Sequence, residues 1–338
     1  MKLKYTLLLS LLVLGACQQK NKSMDNTTAS ITDSNQEVIT AANALQQQIK
    51  QINRFSQEPL YYIYVNHDQC FFQILINDIP IFNYFEDGQI MSPINLNDYI
   101  RHSGKQTITY KLYPQTKRSD GYAFDKLTSY TKMKIEVYER NNADSSNNFE
   151  NQKLILTHHA ATKPDGKTFL GEEKDYYEYT FDFEAKVPFD IKSWEEGKDL
   201  SKMDQDQLLK QTEAAYQYYS KIISDKKQDD YFRLNYGANV SQIKSGYFDK
   251  AFITEAFDDD MALFNNPSFK LEPLTGYRLA VYGNGKIASL EQVSNDLRLK
   301  KESAIWGKSK NEKGGTEATF LKLYLYIPKG KNTFEIVK

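Results

Sequence analysis

Four histidines, two cysteines and several runs of carboxylates are the residues of this 338-residue chain best suited to metal, nucleophilic or acid–base chemistry. The histidines are His67, His102, His158 and His159. No H-E-x-x-H occurs and no Cys-x-x-Cys, so zinc-type spacing is absent. His158 and His159 are adjacent in a stretch that reads as a strand, where neighbouring side chains point to opposite faces, so the two do not share one metal. Asp258-Asp259-Asp260 offers oxygen ligands of the kind calcium takes, without the spaced ladder and closing Glu of a calcium loop. The preferred reading is three acids offsetting the dipole at a helix start. Glu172-Glu173 and Glu195-Glu196 are each a carboxylate source for glycoside hydrolysis, but nothing in their spacing selects them from the chain's 44 acidic residues. There is no G-x-S-x-G elbow, no phosphate-binding loop and no G-x-G-x-x-G helix start. The sequence therefore leads to no catalytic residue, no cofactor and no metal site.

Tyrosine carries the strongest surface signal. Tyr61, Tyr62, Tyr64, Tyr176, Tyr177, Tyr179, Tyr324 and Tyr326 fall in strand-like segments and come from both faces of them. A tyrosine joins a flat apolar body to a polar tip, suited to stacking a sugar or anchoring a protein partner. Against that stands plain sheet stability, since cross-strand aromatic pairs contribute ~0.2–1 kcal/mol each. These eight are the candidate binding residues.

The elements that must position them follow from composition and pattern. The charge is near balance, with 43 Lys+Arg against 44 Asp+Glu, which gives no electrostatic footprint for nucleic acid. Aromatic residues are abundant (24 Tyr, 19 Phe, 2 Trp), as in β-rich structure. Residues 1–16 join a basic start (Lys2, Lys4) to a short apolar run and small residues, the form of a secretory signal peptide rather than a membrane span. Leu14-Gly15-Ala16-Cys17 resembles the bacterial lipobox. That resemblance implies cleavage before Cys17, its acylation, and an outer-membrane lipid anchor. The absence of an acidic cluster after Gln18 favours the periplasmic face over the cell surface. Cys70 is then the remaining thiol, and its apolar surroundings mark it as a small core residue.

Residues 17–36 read as a polar tether and 37–55 as an amphipathic helix, with Val38, Ala42, Leu45, Ile49 and Ile52 on one stripe. Between 58 and 190 short runs at 60–65, 70–76, 79–85, 107–113, 131–138, 153–158 and 176–183 alternate with turn signals, the pattern of an antiparallel β-sandwich. Residues 198–338 read as an α+β domain of helices on an antiparallel sheet. A capping box is expected at Ser201-x-x-Asp204, a helix broken near Gly237, a hairpin at Asn284-Gly285, a mobile loop tip over 308–315, and a long alternating strand from Phe320 to Ile327. The expected fold class is thus mainly β with an α+β second half.

Ile76-Asn77-Asp78-Ile79-Pro80-Ile81, Ser92-Pro93-Ile94-Asn95-Leu96-Asn97-Asp98-Tyr99-Ile100 and Gly104-Lys105-Gln106-Thr107-Ile108 together resemble the galactose-binding-like jelly roll over about residues 70–112. The sequence departs from that pattern at Asp78, where Gly is usual, and at Gln106, where Asn is usual. Such sandwiches bind glycans, bind proteins or act as scaffolds, so the resemblance alone selects no activity. The function expected is a non-enzymatic, lipid-anchored envelope binding protein with a protein partner, of the immunity or inhibitor type. The alternatives are a glycan-binding accessory lipoprotein and an enzyme without a recognisable motif, its site in a cleft between the domains.

Overall fold

The segment Cys70-Phe71-Phe72-Gln73-Ile74-Leu75-Ile76 is apolar at every position but Gln73, without alternation, and a strand of that kind has to be covered on both faces. In the computed structural model, which describes residues 31–33, 35, 38–118, 121–144, 149–311 and 313–337, every residue of this strand is buried. It is β2 of a two-sheet sandwich. One sheet has the order β4-β1-β6-β7 and the other β3-β2-β5-β8, all pairs antiparallel. The strands are β1 (Pro59–Asp68), β2 (Cys70–Ile76), β3 (Ile79–Tyr84), β4 (Ile94–Asn95), β5 (Gly104–Pro114), β6 (Lys132–Asn141), β7 (Lys153–His159) and β8 (Tyr177–Ala185). Ile63, Ile74, Tyr110, Leu112, Ile135 and Val137 fill the space between the sheets. Cys70 lies in the same core, and burial pushes its thiol up to about 12, so it is an inert packing residue.

The second half holds α2 (Gln205–Ser224), α3 (Gln228–Gly246) and α4 (Lys250–Asn265), followed by β9 (Lys270–Leu271), β10 (Tyr277–Tyr282), β11 (Ile287–Gln292), β12 (Trp306–Lys310), β13 (Thr316–Phe320), β14 (Leu325–Tyr326) and β15 (Glu335–Ile336). These strands form two antiparallel sheets, β10-β11-β14-β15 and β13-β12-β9. The fold is therefore mainly β with an α+β second half. Tyr216 of α2 fixes helix to sheet: its buried hydroxyl donates to the Leu323 carbonyl (2.6 Å) and accepts from the Leu290 N–H (2.9 Å).

Several local expectations are corrected. The helix expected over 37–55 is a single short one, α1 (Ala44–Ile49); Val38 is exposed, and the chain buries Ile39, Ala44 and Gln48 instead. Its inward face is chosen by α3 and α4, on which it docks. Residues 31–33, which the sequence places in the tether of 17–36, are packed on the second half, and residues 17–30 lie outside the described ones. Ile31 is buried and bridges Phe334, the Thr32 N–H donates to the Phe334 carbonyl (2.8 Å), and Asp33 pairs with Arg233. Gly237 does not break α3, because a lone glycine costs only about 1 kcal/mol in a helix whose other face is packed. Asp204 is itself the cap of α2, accepting from the Gln207 N–H at 2.8 Å, in place of a Ser201 capping box. Residues 308–310 belong to β12 rather than to a loop tip, and of the expected strand 320–327 only Phe320, which ends β13, and Leu325–Tyr326, which form β14, are in strands. The signal peptide expected over residues 1–16 and the acylation expected at Cys17 fall on residues outside the described ones.

The two halves are joined by polar contacts at their turns. Asn77 and Asp78 both have positive φ (51° and 62°), as a tight hairpin requires. Asp78 then reaches the opposite hairpin: its carbonyl accepts from the Gly283 N–H (3.1 Å) and its carboxylate from the Asn284 N–H (2.9 Å). Gln106 accepts from Asn77 Nδ2 (2.7 Å) and donates to the carbonyls of His102 and Gly104. The two departures from the resembled pattern are thus both occupied side chains. Outside the sandwich, Gln73 and Asn83 on the outer face of β2 and β3 meet the loop before β12. Gln73 donates to Asn83 (2.8 Å), and Asn83 donates to the Lys301 carbonyl (3.1 Å).

Candidate functional site

Where the outer face of β5 meets β10, β11 and the loop that follows, a cleft of about 470 Å³ opens. Four cationic side chains line it: Lys111 from β5, Arg278 from β10, and Lys300 and Lys301 from the loop. Lys111 points outward because the neighbouring inward positions on β5 are taken by Tyr110 and Leu112, so Lys111 and Tyr113 occupy the other face. Lys301 sits at φ 63°, a left-handed conformation that costs a non-glycine residue free energy and turns its side chain back onto the sheet. Its ammonium donates to Gln73 Oε1 (3.1 Å) and lies 5.3 Å from the centre of the Tyr113 ring. The Lys300 ammonium lies 5.7 Å from the same ring and 5.1 Å from that of Phe85.

The carboxylates around the cleft satisfy only part of this charge. Arg278 faces buried Glu291 at 3.4 Å, and Glu291 also accepts from the Tyr282 hydroxyl. Lys111 is 3.9 Å from Glu178, which also accepts from Tyr176. Among the described residues, neither Lys300 nor Lys301 has a carboxylate within 4 Å. Burial pushes the Lys301 ammonium down to about 8 against the opposing pull of Glu291, with Arg278, Lys111 and Lys300 adding like-charge repulsion. Burial also lowers Lys300. The arrangement suits an anion: two ammonium groups with no carboxylate within ion-pair distance among the described residues, held over an aromatic ring. Val293, exposed at the rim, adds an apolar edge. On the far side of Phe85 and Lys300 a second opening of about 780 Å³ carries Lys117 and Arg298, the latter paired with Asp296 at 2.7 Å.

Of the eight tyrosines named from sequence, only Tyr176 lines this cleft. Tyr61, Tyr62, Tyr177 and Tyr324 are buried. The Tyr61 hydroxyl accepts from the Lys186 N–H (2.8 Å), and that of Tyr324 donates to the Pro80 carbonyl (3.1 Å). Tyr62 stacks on Tyr138 at 13°, with Tyr64 edge-on to both, which makes this trio a cross-strand cluster. Half-buried Tyr326 donates to Glu335 (3.0 Å). Tyr179 is 41% exposed, but it stacks on His158, which in turn stacks on Phe181. Tyr113 and Tyr176 meet at 49°, so the cleft offers no flat tyrosine platform for a sugar ring.

The other candidate chemistry is dispersed. His67 is buried against Phe72 and Tyr84, and burial lowers its pKa. His102 pairs with Glu195 at 3.4 Å, and exposed His159 points away from the inward-facing His158. Glu172 pairs with Lys163 (2.5 Å), and Glu196 lies 3.9 Å from Lys192. Asp258, Asp259 and Asp260 fall in the C-terminal half of α4, not at its start, where Asp249 caps the helix instead. Among the described residues no three His, Cys, Asp or Glu side chains group as metal ligands, and no helix is long and apolar enough to cross a membrane.

Sequence reasoning missed Lys111, Arg278, Lys300 and Lys301. A local signal was present in Arg298-Leu299-Lys300-Lys301, three cations in four residues of a chain that is neutral overall. Comparison with family models, curated proteins and solved structures found no match.

Proposed function

We propose that this protein is a non-enzymatic binding protein of the bacterial envelope, anchored by lipid at Cys17, and that its cation-lined cleft docks acidic side chains of a protein partner. The observation that carries the reading is the pair of ammonium groups, Lys300 and Lys301, held without counter-carboxylates over Tyr113. A protein carboxylate entering the cleft would relieve the like-charge repulsion there. Tyr176 and Val293 at the rim provide the apolar contact that hot spots need. An immunity or inhibitor role on the periplasmic face of the outer membrane fits an anchored protein that works by capture. The jelly-roll resemblance of residues 70–112 belongs to this reading, supported by the turns at Asn77-Asp78 and at Gly104 (φ 121°). The glycan-binding alternative loses support because Tyr113 and Tyr176 are not coplanar.

The test is capture from an envelope and secreted-protein extract by the full chain with Cys17→Ser. One half of the extract is treated with protease and the other with glycosidases. Capture that is lost with protease, weakened by salt and abolished in Lys111→Glu/Lys300→Glu supports the proposal. Capture that survives protease and is lost with glycosidases sinks it in favour of the glycan reading. Retention of a lipid label by Cys17→Ala would remove the anchor.

A further inference from the structure

A second cavity, of about 340 Å³, lies among α1, α3, α4 and the turn at Asn97–Tyr99, apart from the cationic cleft. Its size is at the small-ligand end of binding cavities. Phe248, Phe252 and Phe257 form its apolar walls, with the first two rings 4.0 Å apart and Phe252 48% exposed at the mouth. Two carboxylates, Asp98 and Asp260, line it, and among the described residues no lysine or arginine does. The carboxylates are not equivalent. Asp98 has Arg101 behind it, a buried guanidinium that lies over Trp194 and donates to the Asp98 carbonyl. Asp260 has no cation partner among the described residues; Oδ1 accepts from the Tyr231 hydroxyl (2.8 Å), leaving Oδ2 for the cavity.

We propose that this cavity binds a small organic cation, an ammonium group on an apolar stem. The ammonium sits against Asp260 Oδ2, and the stem lies along the wall formed by the phenylalanine rings, whose faces also attract a cation. Asn239 and Gln242 also line the cavity, and their amide oxygens supply acceptors for the remaining N–H donors. Burial, with Asp259 adding to it, raises Asp260 to about 6, and a bound cation relieves that cost. The inference is independent of what docks in the cationic cleft.

The experiment titrates the full Cys17→Ser chain by calorimetry with hexylamine, 1-hexanol, hexanoate and N-acetyl-lysine amide. The amine is expected to bind at least tenfold more tightly than the isosteric alcohol, and hexanoate not at all. Asp260→Asn, which keeps an acceptor for Tyr231, is expected to bring the amine down to the alcohol's level at unchanged melting temperature. Phe252→Ala, at the exposed mouth, weakens amine and alcohol together and reports on the site even where Asp260→Asn unfolds. Binding of N-acetyl-lysine amide without hexylamine supports the ammonium chemistry and makes a partner's lysine its source. Equal binding of amine and alcohol, an affinity unchanged by both variants, or no binding by any of the four overturns the proposal.

Discussion

Replacing Lys301 by methionine keeps the length of its stem and removes the charge that the cleft holds at a cost. Burial lowers the folded-state pKa to about 8, against an ordinary lysine value near 10.5. Between those values the unfolded chain binds more protons than the folded one, so this group's contribution to stability rises with pH through the window. Integrated from pH 7.5 to pH 9, the shift amounts to about 1.2 kcal/mol; screening by solvent at the cleft mouth reduces it to about 1 kcal/mol. The lost hydrogen bond to Gln73 is a pH-independent offset, and the buried tyrosines affect both chains alike. Urea unfolding of wild type and Lys301→Met at the two pH values reads the difference directly. Wild type should gain about 1 kcal/mol on the variant from pH 7.5 to pH 9. A constant difference, or one of opposite sign, would refute the claim that Lys301 is held in the cleft as a desolvated, uncompensated cation.

Three further perturbations probe the frame around the cleft. Tyr216→Phe strands the Leu290 N–H and the Leu323 carbonyl in the core and should lower unfolding stability by about 2–4 kcal/mol; a loss below about 0.5 would show that the hydroxyl anchors nothing. Asp78→Ala loses the Asn284 contact and keeps a Cβ at φ 62° without the short polar side chain that makes this conformation tolerable, so it should cost about 1–2 kcal/mol, with Asp78→Gly, which removes the Cβ, milder; equal losses would mean that the backbone angle is immaterial. Ile31→Ala should cost about 2–4 kcal/mol because Ile31 is buried beside Phe334, and a neutral result would return residues 31–33 to the tether.

The sandwich was legible because its strands carry their own pattern. Met133, Ile135 and Val137 alternate inward on β6, and the run of β2, apolar but for Gln73, signalled cover on both faces. The lengths of α1 and α3 were not legible, since packing decided them. Residues nearly 200 positions away select the buried face of α1, and tertiary contact carries α3 through Gly237. The candidate tyrosines were ambiguous in kind, because a strand tyrosine reads the same whether its hydroxyl meets solvent or, as in Tyr324, a carbonyl from another strand. The cleft was hidden for a different reason. Lys111 and Lys301 are 190 positions apart, and the even balance of charge along the chain conceals a local excess that only the contact of β5 with the loop before β12 creates.

The proposal that a protein partner docks at the cationic cleft is tested most directly by site-specific photo-crosslinking in cells that express the full chain. A photoreactive residue replaces exposed Val293 at the cleft rim, and another replaces exposed Leu154 on β7 as the comparison. The account predicts a protease-sensitive adduct from position 293 that disappears with Lys111→Glu/Lys300→Glu, and none from position 154. An adduct from position 154 alone, or one from position 293 that is indifferent to the charge reversals, would contradict it.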